Sequence, residues 1–259
     1  MTAADSWSPD QYSRFQSERS RPFFDLARMV DRRPGMAAVD LGCGTGELTA
    51  ELHRSLGDGE TLGVDNSASM LERAEKVVQP GLRFERADIA TAIESGPYDL
   101  IFSNAALHWL PDHPHLIERL TARLRPGGQL AVQVPANHNE ATHTVAALVA
   151  AQEPFRTALD GYVAPTHVLE PVAYARLLHS LGYVEQRVEL RVYGHVLDGR
   201  EGVVEWVKGT TLTVYRERLA ADMYDAFLAA YRSRLFDEVA DQRPFFFPFS
   251  RILFWGRRP

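Results

Sequence analysis

Residues 37–53 read AAVDLGCGTGELTAELH: glycines stand at alternate positions 42, 44 and 46, after an acidic residue and among leucines spaced by four. Glycine inside a strand or helix costs roughly 0.5–1 kcal/mol relative to alanine, so this cluster marks backbone that turns sharply or is approached closely. Residues 37–41 are strand-like, and Leu48, Leu52 and Leu56 share one face of a helix. A glycine loop between a strand and a helix is where a doubly wound sheet holds a ligand against its strand ends.

The same rhythm continues outward. ETLGVD (60–65) reads as a second strand and SASMLERAEKVV (67–78) as a second helix, with Met70, Leu71, Ala74, Val77 and Val78 on its buried stripe. LRFERAD (82–88), YDLIFSNA (98–105) and GGQLAVQVP (127–135) read as further strands, with HPHLIERLTARL (113–124) as a helix and RPGG (125–128) as a turn. Runs such as Leu100-Ile101-Phe102 are continuously apolar, which suits strands covered on both faces. Strands alternating with helices predict right-handed βαβ units and a parallel sheet. Beyond Pro135, THTVAALVAAQ (142–152) and PVAYARLLHSLGY (171–183) read as helices, VEQRVELRVYGHVL (184–197) as a strand and FFFPFSRILFW (245–255) as the last strand.

A net charge of −6 over 259 residues argues against a nucleic-acid partner, and 45% hydrophobic with 24% charged residues is ordinary for a globular domain with a full core. The lone cysteine, Cys43, leaves no internal disulfide and no cysteine-clustered metal site. The N-terminus lacks the apolar core of a signal peptide, and no run has the eighteen or so apolar residues of a membrane span. A cytoplasmic monomer with no membrane partner and no metal is the expectation.

The loop's spacing is G-x-G-x-G rather than the G-x-G-x-x-G of dinucleotide folds, and Asp40 precedes it. An acidic side chain there disfavours a pyrophosphate and favours a ligand with a positive centre, such as the ammonium and sulfonium of S-adenosylmethionine. Gly42 and Gly44 are expected to let the backbone turn and approach that ligand, and Gly46 to bring the helix close to the strand. Asp65 ends the second strand and could accept both ribose hydroxyls; Asp88 follows the third and could take the adenine amino group, with Ile89 packing on the ring. Helix-cap and turn roles are the competing reading for each aspartate. After the fourth strand, Asn104 could bond the donor's amino-acid group, and His108 and Trp109 could line an acceptor pocket. The histidines at 108, 113 and 115 match no common metal-ligand spacing.

VDLGCGTGELT, GVDNSASML, RADI and LRPGG resemble the successive motifs of the class I S-adenosylmethionine-dependent methyltransferases over residues 37–135. WSPDQYSRFQSERSRPFFDLARMV, SNAALHWLPDH, EWVKGTTL and FPFSRILF are similar to the trans-aconitate 2-methyltransferase family over most of the chain. The chain departs from that family's pattern at TLTVYRERL (211–219) and FDEVADQRPFFF (236–247). The resemblance implies a Rossmann-like α/β fold: a doubly wound, mostly parallel seven-stranded sheet with a helical cap. It also implies S-adenosylmethionine as cofactor, S-adenosylhomocysteine as product, and Asn66 beside Asp65 in the cofactor site. The expected organisation is an N-terminal helical gate (1–34), a cofactor-binding core (35–136), the remainder of the core with the sixth strand (137–197), a helical insert (198–243) and a closing strand (244–259).

A carboxylate acceptor is ionised at pH 7 and needs cations rather than a general base; Arg19, Arg21, Lys208 and Arg251 are the candidates. Arg251 stands out because a charge within an apolar strand must find a partner or an aqueous cleft. Tyr12, with Trp7 and Phe15, is a candidate for closing the cleft, and the resemblance adds Tyr215 on the acceptor side. A hydroxyl or phenol acceptor, with His108 as base, is the alternative; a non-catalytic cofactor-binding protein and a nicotinamide-dependent oxidoreductase are readings from other classes.

Overall fold

The computed structural model describes residues 16–92 and 95–259, with side chains from Ser20 onward. Seven strands, β1 (Ala37–Leu41), β2 (Glu60–Asp65), β3 (Leu82–Arg86), β4 (Tyr98–Asn104), β5 (Leu124–Pro135), β6 (Glu185–Leu197) and β7 (Phe245–Arg257), form one sheet in the order 3-2-1-4-5-7-6. β1 pairs in parallel with β2 and β4, β2 with β3, and β4 with β5, whereas β7 runs antiparallel to β5. Strand order therefore reverses between β1 and β4, which places the ligand crevice at the carboxyl ends of those two strands.

The described residues fall into two compact units. Residues 16–135, 167–191 and 251–259 make the first; residues 136–166 and 192–250 make the second. Strands β6 and β7 run on from one unit into the other. The second unit thus takes in helices Ala141–Ala150 and Phe155–Ala158 as well as the 198–243 stretch expected as an insert. In it, Phe227 of helix Ala221–Glu238 stacks on Tyr215 at 4.9 Å and meets Phe155 edge-on at 5.3 Å, and the Tyr231 hydroxyl donates to the Thr142 carbonyl at 3.1 Å.

In the first unit, α1 (Gln16–Ala27) lays Phe23, Leu26 and Ala27 against the sheet, with the Phe23 ring 4.9 Å from that of Phe102 on β4. Burying side chains the size of Phe23 or Leu26 contributes roughly 1.5–3 kcal/mol each. α2 (Glu47–Leu56) follows the glycine loop and buries Leu52 and Leu56 on its leucine face. α3 (Ala68–Ala74) begins at Ser67, whose hydroxyl accepts the Met70 N–H.

Two expectations need correction. The second helix does not run to Val78 as one piece: after Ala74 it tightens into a 3-10 turn at Glu75–Val77, Val77 is only half-buried and Val78 is exposed. Pro80 lies two residues on, and a proline and the residue before it resist helical continuation. RPGG lies within β5 rather than ahead of it: the strand begins at Leu124, and the register jumps from Tyr98–Leu124 to Leu100–Gln129, so residues 125–128 bulge out with Gly127 at φ 70°.

Candidate active site

The glycine loop is held by the chain's own backbone. The N–H groups of Gly42 and Cys43 both donate to the Val64 carbonyl, at 2.8 and 3.0 Å, and the Gly44 N–H donates to Asp65 Oδ2 at 2.9 Å. Gly42 sits at φ 81°, and a Cβ there would lie 2.2 Å from the Ala106 Cβ, so the close approach at this position is to the loop after β4. Gly44, at φ 55°, has nothing within 4 Å of where a Cβ would stand. Its outer side is the open side of the loop. Gly46 lets α2 start against Phe84 and Ala74, 2.6 and 2.8 Å from its missing Cβ.

Asp40 is 3% exposed and accepts the Thr49 hydroxyl at 2.6 Å. Burial pushes its carboxyl up to about 7; the Thr49 bond opposes that shift and the charge of Asp65 adds to it. Burial also pushes the Cys43 thiol far up, so it is no nucleophile at neutral pH. The two oxygens of Asp65 accept from Gly44 N and Ser67 N, both at 2.9 Å. Asp88 is exposed, and its Oδ1 accepts the Ala90 N–H at 2.7 Å, an Asx-turn bond at the start of helix Ile89–Ala92. Ile89 Cδ1 comes within 3.9 Å of the missing Gly42 Cβ, so the third-strand loop meets the glycine loop. Asn66 is exposed, its carbonyl accepting from Arg86 Nε at 3.1 Å.

Across the switch point, Asn104 ends β4 opposite Gln133 of β5, and Ala105 follows at φ 55°, its N–H on the Gln133 carbonyl. A non-glycine residue there is strained by roughly 1–2 kcal/mol, and such strain gathers where backbone is shaped for a ligand. His108 and Trp109 pack ring to ring at 4.6 Å. His113 anchors their turn. Its Nε2 lies 3.0 Å from the Leu107 carbonyl and must donate, so in the neutral ring Nδ1 accepts the Tyr174 hydroxyl at 2.5 Å. Burial holds this histidine's pKa below the usual value.

Of the acceptor candidates, Arg251 is 5% exposed and donates from Nη1 to Gln133 Oε1 at 3.2 Å. Arg21 is exposed on α1. Lys208 and Tyr215 belong to the second unit, where Lys208 pairs with Glu205 at 2.9 Å and Tyr215 is buried, its hydroxyl accepting the Ala164 N–H at 3.2 Å. Tyr12, Trp7, Phe15 and the Arg19 side chain lie outside the described residues. Sequence reasoning passed over Gln133, Thr49 and Ala106. Only Gln133 left a signal, as an amide in the apolar run LAVQVP.

These residues fit S-adenosylmethionine better than a dinucleotide. A pyrophosphate calls for free loop N–H groups, and those of Gly42, Cys43, Gly44 and Gly46 are already donated within the chain. No group of three or more His, Cys, Asp or Glu placed to hold a metal occurs among the described residues, and no helix there is long and apolar enough to cross a membrane.

The sheet order, the glycine loop at the switch point and the acidic end of β2 are those of the class I S-adenosylmethionine-dependent methyltransferases. A methyltransferase-domain model matches residues 38–128. The chain superposes on the YcgJ protein of Bacillus subtilis with a TM-score of 0.58 at 16% identity, covering 92% of this chain and 98% of that one. It superposes on phosphoethanolamine N-methyltransferase 2 of Haemonchus contortus, solved with S-adenosyl-L-methionine, with a TM-score of 0.53 at 18% identity, covering 92% and 52%. In sequence it is 46% identical to a trans-aconitate 2-methyltransferase of Deinococcus radiodurans over 98% of this chain and 99% of that one. It is 38% identical to a trans-aconitate 2-methyltransferase of Methylobacterium nodulans, covering 97% and 98%. The chain belongs to the trans-aconitate 2-methyltransferase family, and is an S-adenosylmethionine-dependent methyltransferase.

Proposed function

We propose that the enzyme methylates a carboxylate oxygen of a small polycarboxylic acid such as trans-aconitate, forming the O-methyl ester. The observation that carries this reading is Arg251, a guanidinium within the apolar strand β7, buried beside the carboxyl ends of β4 and β5. Arginine is the side chain suited to planar, bidentate carboxylate recognition. The full-length relatives carry names that agree with it.

S-adenosylmethionine supplies an already activated methyl group. The protein's task is then to position the acceptor and to exclude water. Asp65 accepts from the ribose, Asp88 and Ile89 meet the adenine, Gly44 faces the donor, Gly42 and Gly46 shape the loop that carries it, and Asp40, Asn66 and Asn104 complete the donor site. Arg251 holds the acceptor, with Arg19 and Arg21 of α1 as further cations. His108 and Trp109 flank the acceptor, and His108 positions it without taking a proton, because a carboxylate has none to lose.

The test is transfer of a labelled methyl group to a panel of small polycarboxylic acids and phenols, repeated with His108→Gln. At saturating donor, turnover of a polycarboxylate is expected to be flat above about pH 5.5 and within a few-fold of wild type in His108→Gln. General-base help is typically worth 10²–10⁴-fold. A rate that climbs through the histidine range near 6.5 and flattens in His108→Gln would assign a hydroxyl acceptor instead.

A further inference from the structure

Two glutamines lie four residues apart on the same face of β5, both 0% exposed, and they differ in one respect. Gln129 is fully engaged: its oxygen accepts from Asp31 N and from Trp255 Nε1, both at 2.8 Å, and its amide nitrogen donates to the Asp31 carbonyl at 2.6 Å. Gln133 has only its oxygen engaged, by Arg251 Nη1. A guanidinium can only donate, so the oxygen must face it, and the end turned away is the NH2. That nitrogen is buried and has no hydrogen-bond partner among the described residues.

Its neighbour across the register, Asn104, carries a buried Oδ1 in the same condition. A donor and an acceptor on adjacent strands could satisfy each other, yet they do not bond. A buried polar group left without a partner is costly, so a site that keeps two of them side by side is arranged for groups from elsewhere. Both sit at the carboxyl ends of parallel strands, next to the point where strand order reverses.

We infer that Gln133 is a specificity-determining residue for the acceptor: its Nε2 donates to a carboxylate oxygen of the polycarboxylate, while its Oε1 steers the Arg251 guanidinium toward the same group. The amide and the guanidinium together give a carboxylate donors from two directions, with the positive charge supplied by Arg251 alone. Asn104 Oδ1, an acceptor, cannot serve a carboxylate and is left for a donor N–H of the cofactor's amino-acid end. This division assigns Gln133 to one substrate and Asn104 to the other. It rests on the carboxylate reading proposed above.

The experiment measures KM for the polycarboxylate and Kd for S-adenosylhomocysteine in wild type, Gln133→Met and Gln133→Glu. Methionine keeps the length and removes the amide; glutamate keeps a partner for Arg251 and so preserves the fold while repelling an anionic acceptor. Losing a hydrogen bond to a charged group corresponds to about 10–100-fold, so acceptor KM is expected to rise by that factor in Gln133→Met and further in Gln133→Glu. S-adenosylhomocysteine affinity should stay within twofold and kcat should change less than KM, the signature of lost ground-state binding. An acceptor analogue lacking one carboxylate should bind wild type and Gln133→Met more nearly alike, since the missing group and the missing amide are partners. Should wild type transfer methyl groups to no polycarboxylate, the proposed function fails and this inference with it. Should wild type do so while both variants keep acceptor KM within twofold, Gln133 only braces Arg251 and this inference alone is overturned.

Discussion

In the glycine loop the N–H groups of residues 42, 43 and 44 are all donated to β2 and its last aspartate, and both oxygens of that aspartate are engaged by backbone. Across the switch point, at the ends of β4 and β5, Asn104 Oδ1 and Gln133 Nε2 are buried with no bond among the described residues. The glycine-loop side, where we place the donor, is thus satisfied within the chain before any ligand arrives, and the ends of β4 and β5, where we place Gln133 against the acceptor and Asn104 against the donor's amino-acid end, are not. A preformed loop binds with little ordering cost, which suits a cofactor common to every turnover. Polar atoms held without partners penalise any ligand that fails to match them, which suits the substrate that must be selected.

The largest test of this contrast is Gly42→Ala. The left-handed φ costs a side chain about 1–2 kcal/mol, and a methyl group 2.2 Å from the Ala106 Cβ adds overpacking of about 1–3 kcal/mol. Thermal denaturation should show a loss of roughly 5–15 °C, taking 2–4 °C per kcal/mol for a chain of this size. Adding Ala106→Gly removes the clash and leaves only the backbone strain, so about half of the loss should return. A single variant as stable as wild type would mean that the loop is pliant, and that the donor side is not preformed.

Asp40 tests the charge of the donor side. Its carboxyl, near 7 when folded against an unperturbed 3.8, reverses the usual carboxylate case. Below about pH 4 both states are protonated and nothing is lost; as pH rises toward 7 the unfolded chain ionises while the folded one resists, so stability falls across that window. Binding of a cationic donor favours the ionised form. S-adenosylmethionine affinity should therefore increase with pH up to about 7, by at most tenfold per unit, and level off above it. Calorimetry at pH 5.5, 6.5, 7.5 and 8.5 on wild type and Asp40→Asn would show this, with the variant flat throughout. Thr49→Val removes the bond that opposes the shift and should move the midpoint upward. A flat wild-type profile would place the ligand's charge elsewhere.

What could be read in the sequence divides along similar lines. The strand, the glycine loop and the leucine-faced helix are local patterns, and β1, α2 and β2 fall where periodicity put them. Asp65 was legible because an acidic residue closing an apolar run is unusual in itself. The burial of Asp40 under Thr49 was not, because it depends on how α2 leaves the loop. Gln133 stands out in the sequence only as an amide in the apolar run LAVQVP. Its unpaired amide exists only through the registers β5 makes with β4 and β7, one of them with a strand more than a hundred residues away. Helices 141–150 and 155–158 likewise join the second unit through packing on helix 221–238, which no local pattern announces.

The smallest effect on stability, and the sharpest on mechanism, is expected from Gly44→Ala. Its φ of 55° carries the same left-handed penalty, about 1 kcal/mol, but nothing lies within 4 Å of the added methyl group. Stability should drop by only 2–4 °C. If the donor lies against the open side of the loop, that methyl group meets the ligand instead of the protein. Affinity for S-adenosylhomocysteine should then fall by more than the tenfold that 1.4 kcal/mol represents, while Gly42→Ala paired with Ala106→Gly loses less. The two glycines would then separate cleanly, one spacing the loop from the chain and the other spacing it from the cofactor. Equal affinity in Gly44→Ala and wild type would put the cofactor on another face of the loop, and the completeness of the donor side would then serve folding alone.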